Sequence, residues 1–175
     1  MAFFTRIAAR NLPGDEIAFI RFALMLAPFV LVPRLARRAR TFDRLDLLFY
    51  RGFFGGIAVL LFFLAIEHLP VGTATLLNYS SPIFSVLFAA LFLGERVRPL
   101  VLLPAAMALA GVALVTGGFG EGGLFAHFGR WELAGLVSAV LSGAAVAAIR
   151  AARRTESSWA IYGSFTLFGL VATAP

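Results

Sequence analysis

Six long apolar runs, separated by short polar loops, are the feature that most constrains this chain. They cover residues 17–33, 47–66, 71–93, 99–117, 131–149 and 158–175. A helix needs about 20 mostly apolar residues to cross the roughly 30 Å hydrocarbon core of a bilayer. The runs are continuous and not alternating, which excludes the strands of a membrane β-barrel. The pattern therefore predicts an all-α membrane protein, a polytopic helical bundle with about six full spans.

The composition agrees with a bundle surrounded by lipid. Hydrophobic residues make up 61% of the chain, charged residues make up 14%, and the mean hydropathy is +0.92. Soluble domains are about 45–50% apolar and about 25% charged. The net charge of +6 does not indicate nucleic-acid binding, because so apolar a chain offers no soluble basic face. The lipid bilayer is thus a predicted partner, and nucleic acid is not.

The basic residues, all of them arginine, predict the orientation in the membrane. The loops after the first, third and fifth runs contain ten of them, whereas the two intervening loops contain only Arg130. Arginine-rich loops stay in the cytoplasm. Arg6 and Arg10 fall on the outer side and are exceptions. The ten are Arg34, Arg37, Arg38, Arg40, Arg44, Arg96, Arg98, Arg150, Arg153 and Arg154.

A polar segment interrupts the third run at its centre. It consists of Asn78, Tyr79, Ser80, Ser81 and Pro82. Pro82 has no N–H, so the carbonyl of Asn78 loses its usual helical partner. Within a membrane, hydroxyl groups or water can supply the missing bond. The segment therefore predicts one helix with a polar, kinked centre.

Small and polar residues share one face of this helix, and two interpretations of that face stay open. One is tight packing against a neighbouring helix, with serine and threonine bonding across the interface. The other is the wall of a substrate cavity. The residues at helical spacing are Gly72, Thr75, Asn78, Pro82, Ser85 and Ala89. On the second interpretation the substrate-binding residues are Arg21, Thr75, Asn78, Ser81, Pro82 and Ser85.

Two arginines and two glycines within the runs have expected roles of their own. Arg21 lies about one turn inside its span, where it either extends outward to the interface or faces the cavity and attracts an anionic substrate. Arg51 is expected to extend to the cytoplasmic interface. Gly52 and Gly56 form a small-xxx-small pair, which predicts close helix packing.

Gly94 and Glu95 close the third run. Gly94 is expected to act as the helix cap, and a role in a gate is the alternative for this pair. The carboxylate of Glu95 is expected to pair with an arginine nearby. The candidates are Arg51, Arg96 and Arg98.

Nothing in the sequence indicates catalysis. His68 and His127 fall in the outer loops, and the sequence contains no H-E-x-x-H or G-x-S-x-G motif. Without cysteine there is no thiolate ligand or nucleophile. We therefore expect no enzyme, no metal and no cofactor. The nine acidic residues fall in loops or near the ends of runs, which predicts no proton site at mid-membrane.

Three segments resemble the EamA-type members of the drug/metabolite transporter superfamily. They are "EIAFIRF" (16–22), "YRGFFGGIAVLLFFLAIEHLPVGTATLLNYSSPIFSVLFAALFLGERV" (50–97) and "ALAGVALVTGG" (108–118). The resemblance implies a transporter built of two inverted repeats of five helices each. Residues 1–117 would be the first repeat without most of its first helix, 118–130 an external loop, and 131–175 the incomplete start of the second repeat.

The function implied by this resemblance is transport across the bacterial inner membrane. A member of this family would move a small metabolite or drug-like molecule by alternating access, and efflux is the expected direction. Its partner would be the small-molecule substrate. Whether the protein also forms a homodimer is left open. Because complete members have ten spans, a truncated, non-transporting membrane subunit with a packing role alone is the alternative function.

Overall fold

The computed structural model describes residues 12–38, 44–95 and 129–174, with Thr5, Ile7, Ala8, Leu103, Ala106, Met107 and Ala110 besides. Within these residues the structure gives the bounds of eight helices and contains no strand, so the predicted all-α class is confirmed. The helices are α1 (Gly14–Met25), α2 (Ala27–Leu31), α3 (Pro33–Arg38), α4 (Leu45–His68), α5 (Val71–Asn78), α6 (Ser81–Leu93), α7 (Arg130–Ala152) and α8 (Ser158–Ala172).

Helix α4 is the element around which the bundle is built. Its 24 residues extend about 36 Å, enough to cross a bilayer. Helices α1, α7 and α8 all pack against it. The hydroxyl of Ser138 in α7 donates a buried hydrogen bond of 2.7 Å to the backbone carbonyl of Ala58 in α4. This bond fixes α7 against the middle of α4.

Helix α1 begins with residues that are typical of a helix start. Pro13 precedes it, and Asp15 and Glu16 lie in its first turn, where negative charge is favourable. The Glu67 carboxylate, from the last turn of α4, accepts a hydrogen bond of 2.8 Å from the Gly14 N–H. Since the first N–H groups of a helix lack internal partners, this contact satisfies one of them and ties α1 to the end of α4.

The prediction of a single helix over residues 17–33 is wrong. Helix α1 ends at Met25, and the short helices α2 and α3 follow. Pro28 lies in the first turn of α2, where its missing N–H is tolerated. Val32 is extended, with φ −128° and ψ 87°, because a residue before proline is displaced from the helical region. Pro33 then opens α3.

Polar and aromatic contacts distinguish the two ends of the bundle. At one end, which we call the basic end, α4 begins, α6 and α7 end, and Glu95 contacts Arg150 and Arg154. At the opposite end the ring of His68 stacks on Trp131 with their centroids 3.6 Å apart. His68 was expected in a loop, but it is the last residue of α4. Helices α4 and α7 therefore run antiparallel.

Three stretches of the described chain are long and apolar enough to cross a membrane: Leu45–His68, Val71–Leu93 and Arg130–Ala152. Helix α8 is apolar but shorter, at 15 residues. Large apolar side chains cover the outside of the bundle. Phe92 is 77% exposed and Val171 is 76% exposed, as expected where the solvent is lipid. Most of the fourth predicted run, 99–117, and of the predicted external loop lies outside the described residues.

Candidate functional site

The polar segment interrupts the third span without turning the chain. Helix α5 ends at Asn78, and Tyr79 and Ser80 keep right-handed helical angles before α6 begins. The Ser80 hydroxyl donates a hydrogen bond of 2.6 Å to the carbonyl of Leu77. A side chain thus bonds to the backbone beside the carbonyl that Pro82 leaves without its usual partner. The predicted polar interruption near the centre of a spanning helix is present.

The small face of this span is partly packed and partly accessible. Ser85 is only 4% exposed, and its hydroxyl donates to the Pro82 carbonyl at 3.0 Å. Helix α7 approaches closely here, because a Cβ on Gly143 would lie 2.8 Å from the Ser85 nitrogen. Ser85 therefore packs against α7. The other proposed substrate-binding residues of the span are exposed (Pro82) or half-buried (Thr75, Asn78, Ser81).

Arg21 lines a cavity of about 560 Å³ formed by α1, α4 and α8, which we call the Arg21 cavity. The guanidinium carbon of Arg21 lies 5.6 Å from the ring centroid of Phe63. The hydroxyl of Tyr162 donates to the Met25 carbonyl at 3.1 Å and holds α8 against α1. None of the five proposed substrate-binding residues of the third span lines this cavity, so the structure does not bring them together with Arg21. The wall also includes Ile17, Ile20 and Leu24.

Arg51 does not extend to the interface as expected. Its guanidinium carbon lies 3.9 Å from the ring centroid of Phe165 in α8. Its Nε atom is buried and has no hydrogen-bond partner in the described part of the chain. The side chain can fold inward because Gly55 lacks a Cβ, which would fall on the Arg51 Nη1 atom. Arg51 folds inward because its cation gains contact with an aromatic face inside the bundle.

The aromatic residues that hold the two arginines were not singled out from the sequence. Phe63 and Phe165 are both buried, and Phe22 packs edge-on to Phe165 with centroids 5.1 Å apart. The chain contains 19 phenylalanines, so an individual one carries no signal. Only the position of Arg51, six residues into α4 and beside a group of glycines, could have indicated that its side chain packs inside the bundle.

A second cavity, of about 760 Å³, lies at the basic end between α4, α6 and α7, and we call it the basic-end groove. Stacked aromatic pairs form part of its wall. The rings of Tyr50 and Phe54 are 5.8 Å apart at 14°, and those of Phe88 and Phe92 are 5.9 Å apart at 20°. Arg44 and Arg154 also line it. Both arginines are ion-paired, Arg44 with Asp46 and Arg154 with Glu95, so the groove has an apolar wall and a polar rim.

Glu95 pairs with a different set of residues from the one expected. Its carboxylate lies 3.4 Å from Arg150 Nη1 and 3.5 Å from Arg154 Nη2. These two arginines are one turn apart, near the end of α7, and so face the same point. Arg51 is engaged with Phe165 instead. The other two expected partners, Arg96 and Arg98, lie outside the described residues.

Three glycines singled out in the sequence occupy positions that suit a residue without a side chain. Gly94 ends α6 with a φ of 66°, in the left-handed region, as a helix-capping glycine does. Gly52 and Gly56 face α8. A Cβ on Gly52 would lie 2.8 Å from the Ser164 carbonyl oxygen, and one on Gly56 would lie 2.9 Å from the Cα of Gly169.

The described acidic residues all lie at helix ends or beyond them. They are Asp15, Glu16, Asp46, Glu67, Glu95, Glu132 and Glu156. In the same part of the chain, no three histidine, aspartate or glutamate side chains come together in a way that could hold a metal ion. The described interior thus offers a substrate aromatic faces, guanidinium groups and a few hydroxyl and amide groups.

Comparison with known proteins assigns the family. The sequence profile of the EamA-like transporter family matches residues 1–117. The chain belongs to the EamA-like transporter family. The pseudopaline exporter of Pseudomonas aeruginosa (strain UCBPP-PA14) is 30% identical over 168 residues, which are 96% of this chain and 58% of the exporter. Given this family and its membrane-spanning helices, the chain is a multi-pass protein of the bacterial inner membrane.

Two further relatives cover less of the chain. An uncharacterized transporter of Helicobacter pylori (strain J99) is 31% identical over 119 residues, 66% of this chain and 40% of its own length. A protein of Streptantibioticus cattleyicolor named "probable terminal-alkyne amino-acid exporter" is 48% identical over 48 residues, 27% of this chain and 16% of its own length. This EamA-like chain spans little more than half the length of its pseudopaline-exporting relative. No solved structure matches it.

Proposed function

We propose that the protein exports a small organic molecule across the inner membrane by alternating access. The observation that carries this proposal is the presence of two cavities on different sides of α4, one formed with α1 and α8 and the other with α6 and α7. The Arg21 cavity meets α4 at Phe63, and the basic-end groove meets it at Tyr50 and Phe54. Gly56, between Phe54 and Phe63 in α4, is in close backbone contact with Gly169 of α8. Such a carrier exposes its site to one side of the membrane at a time.

The names of two relatives support export and a metabolite as cargo. One is named for the export of pseudopaline and another for the export of a terminal-alkyne amino acid. We propose a substrate of the same general kind for this chain, a small polar or amphipathic metabolite. The aromatic walls of the basic-end groove would hold its apolar part, and the guanidinium groups would hold an acidic part.

We further propose that the chain supplies one repeat and the start of another. Residues 1–117 would form the first repeat, 118–130 an external loop, and 131–175 the opening of an inverted second repeat. The family match ends at residue 117, which supports this boundary. In carriers of this type the substrate site lies at the interface between the two repeats. The contact of α6 with α7 at Ser85 and Gly143 would belong to that interface.

The polar segment of the third span would contribute to the transport path. Thr75, Asn78 and Ser81 are half-buried and lie within the 71–93 span, so their hydroxyl and amide groups can meet a passing substrate. Pro82 leaves the backbone ladder open at the junction of α5 and α6, where a span can bend. Discontinuous helices of this kind form the binding sites of many secondary transporters.

The test is counterflow of a mixture of radiolabelled amino acids into proteoliposomes that contain the purified protein. We expect uptake above that of empty vesicles. Asn78→Leu and Ser81→Ala should each lower the flux about three- to tenfold, the effect of one lost hydrogen bond, with folded protein recovered normally. Leu91→Ala, at a side chain that is 67% exposed, is the control and should transport normally. Loss of folded protein in parallel with flux would instead favour a packing role alone.

A further inference from the structure

Helix α6 forms one wall of the basic-end groove. Phe88 and Phe92 of α6 line the groove together with an aromatic pair of α4 and several alanines of α7. Helix α6 has 13 residues and is therefore about 20 Å long. The width of the groove depends on the position of α6 relative to α7. The contacts that hold α6 therefore decide how far the groove opens.

The chain can bend where α6 begins. Pro82 has no N–H, so the helical hydrogen bond to the Asn78 carbonyl is missing between α5 and α6. Kinks of long helices occur at such positions. Helix α6 then packs on α7 at Ser85, where Gly143 has no side chain and the two backbones come close. Since Ser85 is only about one turn beyond Pro82, this contact moves little when the far end of α6 swings.

Ion pairs hold the far end of α6. Gly94 ends the helix with a φ of 66°, and Glu95 follows outside it. The Glu95 carboxylate lies 3.4 Å from Arg150 Nη1 and 3.5 Å from Arg154 Nη2. Arg154 also lines the basic-end groove, so these pairs lie at its rim. They join the end of α6 to the end of α7, about two turns beyond the contact at Ser85.

These ion pairs are exposed and therefore weak. The side chain of Glu95 is 37% exposed, and those of Arg150 and Arg154 are 43% and 66% exposed. An exposed pair changes an equilibrium by only about 1.5- to fivefold, and salt screens it. Such a connection breaks and re-forms readily. It suits a part of a carrier that has to move during every transport cycle.

We propose that Glu95 is a latch that holds α6 against α7 and keeps the basic-end groove narrow. When Glu95 leaves Arg150 and Arg154, α6 swings at Pro82, its two phenylalanines move away from the alanines of α7, and the groove opens at the basic end. This inference rests on the proposed export function, because alternating access requires that end to open and close in each cycle. It assigns the motion to one helix and its release to one carboxylate.

The test measures access of a thiol reagent to the groove. The chain contains no cysteine, so Ala148→Cys places a single thiol in the part of the wall that α7 contributes. The purified protein in nanodiscs is alkylated with a bulky, water-soluble maleimide. We expect Glu95→Gln to raise the alkylation rate about two- to fivefold, the size of an exposed ion pair. An unchanged rate would overturn the proposal.

The matched control for this change is Asp46→Asn. It also removes a carboxylate from an arginine pair at the groove, because Asp46 pairs with Arg44, which lines it. Both members of that pair lie at the start of α4, so the pair does not join two helices. We expect Asp46→Asn to leave the rate unchanged. Acceleration equal to that of Glu95→Gln would show an effect of local charge on the thiol and contradict the latch.

Charge reversal and salt test whether the link is electrostatic. Glu95→Arg should raise the alkylation rate, and the addition of Arg150→Glu and Arg154→Glu should restore it. Raising the salt concentration from about 0.01 M to about 1 M shortens the Debye length from about 30 Å to about 3 Å, and should accelerate alkylation in the parent but not in Glu95→Gln. A triple variant that stays fast, or a parent rate that does not respond to salt, would contradict the proposal.

A second thiol shows whether Glu95→Gln loosens the whole bundle. Ser164→Cys, at a buried position of α8, should remain unreactive with or without Glu95→Gln. Equal acceleration at both thiols would show general destabilisation and refute the latch. Alkylation does not require transport, so the two proposals fail separately. Amino-acid counterflow without faster alkylation in Glu95→Gln would refute the latch alone, whereas faster alkylation without any counterflow would refute export and leave the latch in place.

Discussion

Single glycines set the separation of the helices around α4. Gly56 lies against the backbone of Gly169, and Gly169 in turn lies against the ring of Phe22. A Cβ on Gly169 would fall 2.2 Å from the Phe22 ring, which is fully buried. Helices α4 and α8 therefore meet backbone to backbone, and the Phe22 ring of α1 packs directly on the backbone of α8. In lipid, where apolar burial provides little driving force between helices, such close packing contributes much of the association.

We predict that Gly56→Ala destabilises the bundle. The added methyl group would lie 2.9 Å from the Gly169 Cα, and backbone atoms cannot rotate away as a side chain can. The expected loss is about 1–3 kcal/mol of unfolding free energy, typical of an overpacked core. Denaturant unfolding of the purified protein in detergent measures it. Leu45→Ala, at an exposed position of the same helix, is the control. A Gly56→Ala protein as stable as the parent would show that α4 and α8 separate easily.

At the scale of elements, hydropathy predicts spans well and interruptions poorly. The runs over 47–66 and 131–149 became α4 and α7 with small shifts at their ends, because length and apolar content suffice to define a membrane helix. The run over 17–33 became three helices, because the prolines at 28 and 33 break the ladder while remaining apolar. Hydropathy does not detect that break.

The candidate site could be predicted only in part for a related reason. The polar segment between α5 and α6 is visible in the sequence, because polar residues are rare in such a run. The inward orientation of the Arg51 side chain is not visible in the sequence. It depends on Phe165, a residue of a helix distant in sequence, and on the absence of a side chain at Gly55. An arginine at this position can either extend to the interface or fold inward, and the sequence does not distinguish the two orientations.

We predict that Pro82→Ala stiffens the third span. The new N–H at position 82 could donate to the Asn78 carbonyl and close the ladder between α5 and α6. Hydrogen exchange at residues 79–83 should become slower, and Tm should rise. Amino-acid counterflow should fall, because a carrier that bends at this junction would lose mobility. Val86→Ala, a substitution farther along α6, is the control for a change in packing. Exchange as fast as in the parent protein would show that the proline does not hold the junction open.

At the scale of the whole molecule, charge is distributed by end. The described ion pairs lie at the basic end, which is also where the chain enters α4 and leaves α6 and α7. The opposite end carries the His68–Trp131 stack and the contact of Glu67 with the start of α1. Ion-paired arginines gathered at one end of the bundle are the arrangement expected of a protein oriented by its positive charges.

We predict that the basic end faces the cytoplasm. With the cell interior negative, moving one arginine outward costs about 2.3 kcal/mol per 100 mV, so arginine-rich loops are retained inside. Fluorescent-protein fusions after Arg38 and after Arg153 should fluoresce, because the reporter folds in the cytoplasm. A phosphatase fusion after Gly120 should be active, because that reporter works only outside. The reciprocal fusions serve as controls, with phosphatase inactive after Arg153 and fluorescence absent after Gly120. An active phosphatase after Arg38 would reverse the orientation of the bundle and place the basic-end groove on the external side.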